Sequence, residues 1–222
     1  MKFHIITLFP SLFSGFIEDS LIGKARQSNL IDLHLIDLRK FGIGDRKTVD
    51  DKPFGGGCGM LLKPEPIISA LESFSIGDSS RKILLSAGGE TFNQSKSFEY
   101  SQLDEIVLIC GRYEGVDHRV SHFIDEEISI GNFVLMGGEV AAMAVVEATS
   151  RHINGVLGNQ ESTIVESHST IFPVEFDQYT KPRSFRGIDV PQELLNGDHK
   201  KIELWRKENS KNRQKCKHDN IT

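Results

Sequence analysis

The spacing of apolar positions changes from segment to segment along the chain. KFHIITLF, Lys2 to Phe9, is a short apolar run that predicts a first strand. Leu12, Phe13, Phe16, Ile17, Leu21 and Ile22 then recur at helical spacing, and LIDLHLIDL, Leu30 to Leu38, returns to short-period alternation. A helix is predicted from Pro66, with Ile67, Ile68, Leu71 and Phe74 on its apolar face. KILLSA and EIVLIC are nearly all apolar and end at Gly88 and Gly111. Buried parallel strands read this way, with a loop at each carboxyl end. ISIGNFVLMGG, Ile128 to Gly138, reads as a third such run, and GEVAAMAVVEATSRHI is a helix apolar nearly all round, hence buried or at an interface. Strand-like and helix-like segments alternating over residues 1–158 predict an α/β domain. From Asn159 the pattern fails: the stretch to Ser184 is polar, carries two prolines and has no clean period. Residues 159–178 are expected to be a flexible linker. Residues 179–222 are expected to be a small helical unit built on Leu194, Leu195, Ile202, Leu204 and Trp205.

Composition narrows the class. With 38% hydrophobic and 26% charged residues the chain is expected to be soluble and able to bury a real core. No run approaches a membrane span, and the first residues lack the features of a signal peptide. Cys58, Cys110 and Cys216 are odd in number and far apart, which points to a reduced, cytoplasmic chain without structural zinc. A net charge of −5 argues against a protein that coats nucleic acid. The charge is uneven, however. Lys200, Lys201, Arg206, Lys207, Lys211, Arg213, Lys215 and Lys217 face only Glu203 and Glu208 within that stretch. This basic end is either an electrostatic footprint for a polyanion or a solvated tail.

DKPFGGGCGM, Asp51 to Met60, packs four glycines into five positions. Met60 stands where a GxGxxG signature needs its third glycine, and Gly59 lacks the Lys-Ser/Thr sequel of a P-loop. Both common phosphate-binding readings therefore fail, leaving a plain turn or a close approach to something else. LLSAGGE, CGRYEGVDHR and ISIGNFVLMGGE each place glycines at a predicted strand end. Singly each is an ordinary turn; together they outline one crevice with main-chain groups suited to reading a planar base.

GRYEGVDHR, SIGNFVLMGGE and SRHINGVLG, with DKPFGGGCGM upstream, closely resemble the motifs of the bacterial tRNA (guanine-N1)-methyltransferases. The resemblance runs from FHIITLFPSLF to YTKPRSFRGIDVPQELLNGDHKKIELWR and so covers nearly the whole chain. It implies a trefoil-knotted α/β domain of the SPOUT superfamily over residues 1–158 and a small, basic tRNA-binding C-terminal domain over 179–222. It also implies an obligate homodimer with the active site at the subunit interface, and methyl transfer from S-adenosylmethionine to N1 of guanosine 37 in tRNA. Mg²⁺ is left open, with no dedicated site.

Residue by residue, the resemblance makes Glu166 the general base, where the family's better-known form has Asp, and Arg151 the group that stabilises charge at O6. Arg151 has a second, structural reading, as a cation at a helix C-terminus four residues after Glu147. His168 is a rival base by its ordinary pKa. The cofactor residues implied are Leu85, Ser86, Gly111, Ile130, Gly131, Asn132, Phe133, Val134, Leu135, Gly137 and Gly138, with Asn132 where Asp is frequent. Gly57 and Gly59 are expected beside the cofactor pocket, leaving room for an extruded guanine. Cys58 stands where Pro is usual and is read as a small tolerated residue. Tyr179, Lys181, His199, Trp205 and Arg206 fall on the tRNA-binding pattern. Lys181 replaces the usual Arg, and the tail after Arg206 lacks the usual arginine-rich finish, implying a smaller tRNA-gripping domain. Two rivals remain: a related methyltransferase acting on another base or a ribose hydroxyl, and a non-catalytic RNA-binding protein.

Overall fold

The computed structural model describes residues 1–158, 166–169 and 172–219, with side chains described as far as Lys215. The chain divides into two compact units, Met1–Gly158 and Asn159–Thr222.

The larger unit is built on a parallel sheet of β1 (Lys2–Thr7), β2 (Asp32–Asp37), β5 (Ser80–Thr91), β6 (Glu105–Cys110) and β7 (Glu126–Ser129), in the order β2-β1-β6-β5-β7. A short ribbon of β3 (Asp50–Asp51) and β4 (Leu61–Leu62) flanks the long glycine-bearing loop. Five α-helices, with short 3-10 helices at Pro10–Phe13, Leu38–Phe41 and His118–Phe123, complete the unit: α1 (Ser14–Glu18), α2 (Ser20–Gln27), α3 (Pro64–Glu72), α4 (Gln94–Ser101) and α5 (Glu139–Ser150). Successive strand residues point to opposite faces, and both faces are covered. Phe3, Ile5, Ile83, Ile106 and Leu108 pack with Phe13, Ile22, Tyr100, Val145 and Val146 on one side. Ile6, Leu84, Val107 and Ile109 pack with Leu38, Leu62, Ile67 and Ala70 on the other. Burial on both faces is why these strands read as unbroken apolar runs.

Three local features differ from the pattern's expectation. The helix predicted across Leu12 to Ile22 is broken at Asp19, and Ser20, the first residue of α2, takes φ +61°. The run from Ile128 is strand only as far as Ser129. There Gly131 turns the chain at φ +155°, and the Ser129 hydroxyl donates to its carbonyl at 2.9 Å. The following Phe133, Val134 and Met136 are 55%, 85% and 89% exposed, so these apolar letters belong to a loop and not to a buried strand. Strand β5 continues beyond Leu85: it leaves β7 over Ser86 to Gly89 and rejoins it at Glu90, so that Leu85 and Glu90 both pair with Ile128. A side chain at Gly89 would lie 2.5 Å from the Ile128 nitrogen, so the excursion closes only with glycine there.

The smaller unit contains a hairpin of β8 (Ser184–Phe185) and β9 (Ile188–Asp189), then α6 (Gln192–Leu195) and α7 (His199–Asp219). The Asp198 carboxylate caps α7, accepting from the Lys200 and Lys201 backbone at 3.1 and 3.3 Å. Of the expected linker, residues 159–165 and 170–171 lie outside the described residues. Its last part is packed. Phe172, Val174 and Phe176 are buried, Arg206 lies 4.7 Å over the Phe176 ring, and the Asp177 backbone donates to Asn209 at 2.7 Å. The residues expected to supply this unit's core contribute less: Leu194, Leu195, Ile202 and Trp205 are half-buried and Leu204 is exposed. Among the described residues no helix is long and apolar enough to cross a membrane.

At the amino end of the sheet His4 stacks between His34 and Phe74, with ring centroids 5.1 and 4.5 Å away, and its Nε2 lies 3.2 Å from Glu105. Burial holds its pKa below the ordinary 6.5, with the Glu105 hydrogen bond opposing and the nearby His34 and Lys2 charges assisting burial. The unfolded chain then binds a proton that the folded chain resists, so stability falls as pH drops below the ordinary value. Denaturant midpoints measured from about pH 7.5 to about pH 5.5 are expected to decline, and to decline less in His4→Gln. Equal slopes in the two proteins would refute the assignment.

Candidate active site

Three segments leave the carboxyl ends of neighbouring strands and close around a cavity of about 340 Å³: the Ser86–Gly89 excursion, the turn after Gly111, and the loop from Ile130 to Gly138. This is where open parallel sheets bind ligands. Leu85, Ser86, Gly111, Ile130, Phe133, Val134, Leu135, Gly137 and Gly138 all line it. Gly131 and Asn132 do not; they form the turn behind it, where the Phe133 N–H donates back to the Gly131 carbonyl at 2.9 Å.

The cavity's shape depends on how closely α5 approaches β6. The Gly138 N–H donates to the Gly111 carbonyl at 2.9 Å, and a Cβ at Gly138 would sit 2.8 Å from the Cys110 Cα. A Cβ at Gly137 would strike the Arg112 side chain at 2.2 Å. Both glycines are therefore required by close packing. Glu139, only 1% exposed, follows them in the first turn of α5 and is held from two sides. Its carboxylate pairs with Arg112 at 2.8 Å and accepts from the Thr7 hydroxyl at 2.8 Å. Arg112 also donates to the Met136 carbonyl at 3.3 Å and lies 4.6 Å over the Phe9 ring. One ion pair thus ties the ends of β1 and β6 to α5 and the last lining loop. Burial pushes the Cys110 thiol well above its ordinary pKa, with the Glu139 charge adding to the effect, so it stays neutral beneath this junction.

Carboxylates mark the polar side. Glu114, Asp117 and Glu127 line the cavity. The Arg119 side chain grips Asp117 at 2.8 and 2.7 Å, and this fork holds the Asp117 carboxyl down at about 2. The long glycine-bearing loop between β3 and β4 reaches this rim. Gly55, Gly56, Gly57 and Gly59 take φ between +81° and +125°, and a side chain at Gly59 would meet Glu114. The Glu114 N–H donates to Met60 at 3.0 Å, and Leu62 exchanges backbone bonds with Gly115 and Asp117 at 3.0 and 2.9 Å. Cys58 is exposed on that loop.

Of the other candidate residues, Arg151 lies elsewhere in the larger unit, and the rest belong to the smaller one. Arg151 caps the far end of α5, whose 12 residues lie between it and Gly138 and set the two about 20 Å apart. There it lines a second cavity of about 140 Å³ with Phe16, Ser20, Glu147 and Ser150. Glu166 belongs to the smaller unit, half-buried in a turn where its carbonyl accepts from Ser169 at 3.3 Å. His168, exposed beside it, has φ +66°. Tyr179 meets Trp205 edge-on at 6.1 Å, and Lys181, His199 and Arg206 are exposed on the same unit. Among the described residues no group of three or more His, Cys, Asp or Glu is arranged to hold a metal ion. Sequence reasoning missed the Arg112–Glu139 pair. Its signal was there: a carboxylate opening an otherwise apolar, buried helix needs a cation brought to it.

The fold and the crevice define an α/β ligand-binding protein of the open parallel-sheet class, with three loops at adjoining strand ends as its site. Comparison with known proteins carries this to a family. The sequence model of the tRNA (guanine-1)-methyltransferase TrmD family matches residues 1–222, and the chain belongs to that family. It is 47% identical to a tRNA (guanine-N(1)-)-methyltransferase of Carboxydothermus hydrogenoformans, over 95% of this chain and 83% of that one. Proteins of the same description from Finegoldia magna and Latilactobacillus sakei are 46% and 44% identical. Those matches cover 100% and 93% of this chain, and 94% and 84% of theirs.

The close approach at α5 yields a paired test. Gly138→Ala must displace backbone and is expected to destabilise the chain by about 1–3 kcal/mol. Gly88→Ala lines the same cavity, but its nearest contact would be 3.9 Å, so it is expected to stay within about 0.5 kcal/mol of wild type. Denaturant titration of both variants decides; equal effects would refute the role given to Gly138.

Proposed function

We propose that this chain transfers a methyl group from S-adenosylmethionine to N1 of guanosine 37 in tRNA. The observation that carries the reading is the family match over all 222 residues. The cavity fits the donor chemically. Leu85, Ile130, Val134 and Leu135 offer apolar contact for an adenine, while Glu114, Asp117 and Glu127 offer carboxylates to a molecule bearing an ammonium and a sulfonium. Bound there, S-adenosylmethionine supplies an electrophilic methyl group. We further propose that the larger unit carries the trefoil knot of the SPOUT superfamily, around the loops that form the cavity.

The chain's own groups then have defined tasks. Guanine N1 carries a proton at neutral pH and becomes nucleophilic as it is removed. Glu166 accepts that proton, and the Arg151 guanidinium donates to O6, where negative charge grows. Arg151 stands about one length of α5 from the cavity in its own chain. This favours a homodimer in which Arg151 and Glu166 of one copy complete the cavity of the other. The glycine loop with Gly57 and Gly59 makes room for the base. Tyr179, Lys181, His199, Trp205 and Arg206 hold the tRNA, and Lys181 is a point charge in place of a bidentate fork. No step is assigned to Mg²⁺. An enzyme acting on tRNA in this way works in the cytoplasm.

Transfer of labelled methyl to an unmodified tRNA transcript is expected, and is expected to vanish when G37 is replaced. Glu166→Gln and Arg151→Ala are each expected to lower kcat by about 10²- to 10⁴-fold while S-adenosylmethionine binding persists. A mixed dimer of Arg151→Ala with the cavity-filling Gly88→Trp is expected to recover activity that neither homodimer has. Recovery requires the cavity and the arginine to come from different copies. Its absence would confine the site to one chain, and label independent of G37 would replace the substrate assignment.

A further inference from the structure

The tip of the smaller unit has no task in the scheme above. In the β8–β9 hairpin Phe185 pairs with Ile188 and Ser184 with Asp189, and the Val190 N–H closes the base on the Arg183 carbonyl at 2.9 Å. Cross-strand partners share a face. Phe185 and Ile188 therefore stand side by side as an apolar face, yet they are 61% and 73% exposed. The two turn residues, Arg186 and Gly187, have φ of +53° and +82°. A two-residue turn with both centres left-handed favours Asn, Asp or Gly at the first of them. Arginine is held there against its own backbone preference, a kind of strain that gathers at functional sites. The result is specific: the Arg186 guanidinium lies over the Phe185 ring, 5.3 Å from its centre. Residues 181–189 are all exposed and carry Lys181, Arg183 and Arg186 against the single carboxylate Asp189.

An apolar protein partner would leave unanswered both the cation over the ring and the two further positive charges beside it, Lys181 and Arg183. A planar base joined to a phosphate backbone matches both the stack and the charge. We propose that this hairpin is a stacking platform for one unpaired base of the tRNA, with Phe185 and the Arg186 guanidinium taking the base and Lys181 and Arg183 its phosphates. The inference rests on the tRNA reading and adds Arg183, Phe185 and Arg186 to it, beside Lys181, which that reading already assigns to the tRNA.

Equilibrium binding of an unmodified tRNA transcript, by fluorescence anisotropy with the full chain, and steady-state methyl transfer test it together. Phe185→Ala is expected to raise Kd and KM for tRNA about 5- to 50-fold, with kcat and the KM for S-adenosylmethionine unchanged. Phe185→Trp, which keeps a stacking face, is expected to stay within about threefold of wild type. Arg186→Gly relieves the left-handed strain, so its Tm is expected to hold or rise. Its tRNA affinity is nevertheless expected to fall about three- to tenfold. A structural role for the turn would instead leave the more stable Gly variant binding as well as wild type, and that result overturns the proposal. Wild-type tRNA affinity in Phe185→Ala overturns it also. So does a loss of Tm and kcat together in that variant, which would mark the face as a protein contact. An active wild type whose hairpin variants are indistinguishable from it leaves the function standing and removes only this inference. A wild type that neither binds nor methylates tRNA removes both.

Discussion

The site depends on one contact of main chain against main chain, where Gly138 lies on Cys110 and Gly111. Everything that gives the crevice its form follows from that approach. It sets α5 at the end of β6, brings Glu139 within reach of Arg112 and Thr7, and lets Arg112 fold over the Met136 carbonyl. A buried ion pair contributes little net stability, because desolvation offsets most of its attraction, but breaking one is severe. Its value here is geometric. The pair specifies which loops adjoin, and the apolar lining residues inherit their positions from it. The sheet supplies the rigid floor, since strands packed on both faces leave their carboxyl ends little freedom to drift.

Much of the fold was legible because burial on two faces leaves an unmistakable trace. Lys2–Thr7 was readable as a strand from its apolar run alone, and Glu105–Cys110, the start of β5 and the buried helix α5 from apolar runs with glycine at one end. The same trace misled at Phe133 to Met136, where apolar letters line and overhang a cavity without being buried in a strand. Pattern cannot separate these cases, since an open ligand face and a core use the same residues. In the smaller unit Phe172, Val174 and Phe176 alternate as a packed segment should. Pro173 and the polar flanks obscured that alternation, so the segment passed for a tether.

The candidate site was partly legible for a related reason. Glycine clusters announce turns and close approaches, so the three converging loops stood out in the chain. What glycine meets cannot be read from glycine. Gly137 and Gly138 were visible, but the Arg112 side chain and the Cys110 backbone they admit lie well upstream. Arg112 and Glu139 are 27 positions apart, and only the crossing of α5 over β6 makes them neighbours. Arg186 is a further case. Nothing in the letters Phe-Arg-Gly shows that the arginine occupies the left-handed position of a tight turn and so covers the ring beside it.

Helix α5 has a consequence of another kind. Its first turn is anchored by the glycine contact and the Glu139 ion pair, and its last residue is followed directly by Arg151. A single rigid rod therefore carries both a length and a bearing. Each residue added or removed within it would shift Arg151 by about 1.5 Å along the axis and swing it by about 100° around it. The helix is a calibrated spacer, and its twelve residues are a setting that drift in the surrounding sequence need not disturb but a single insertion would.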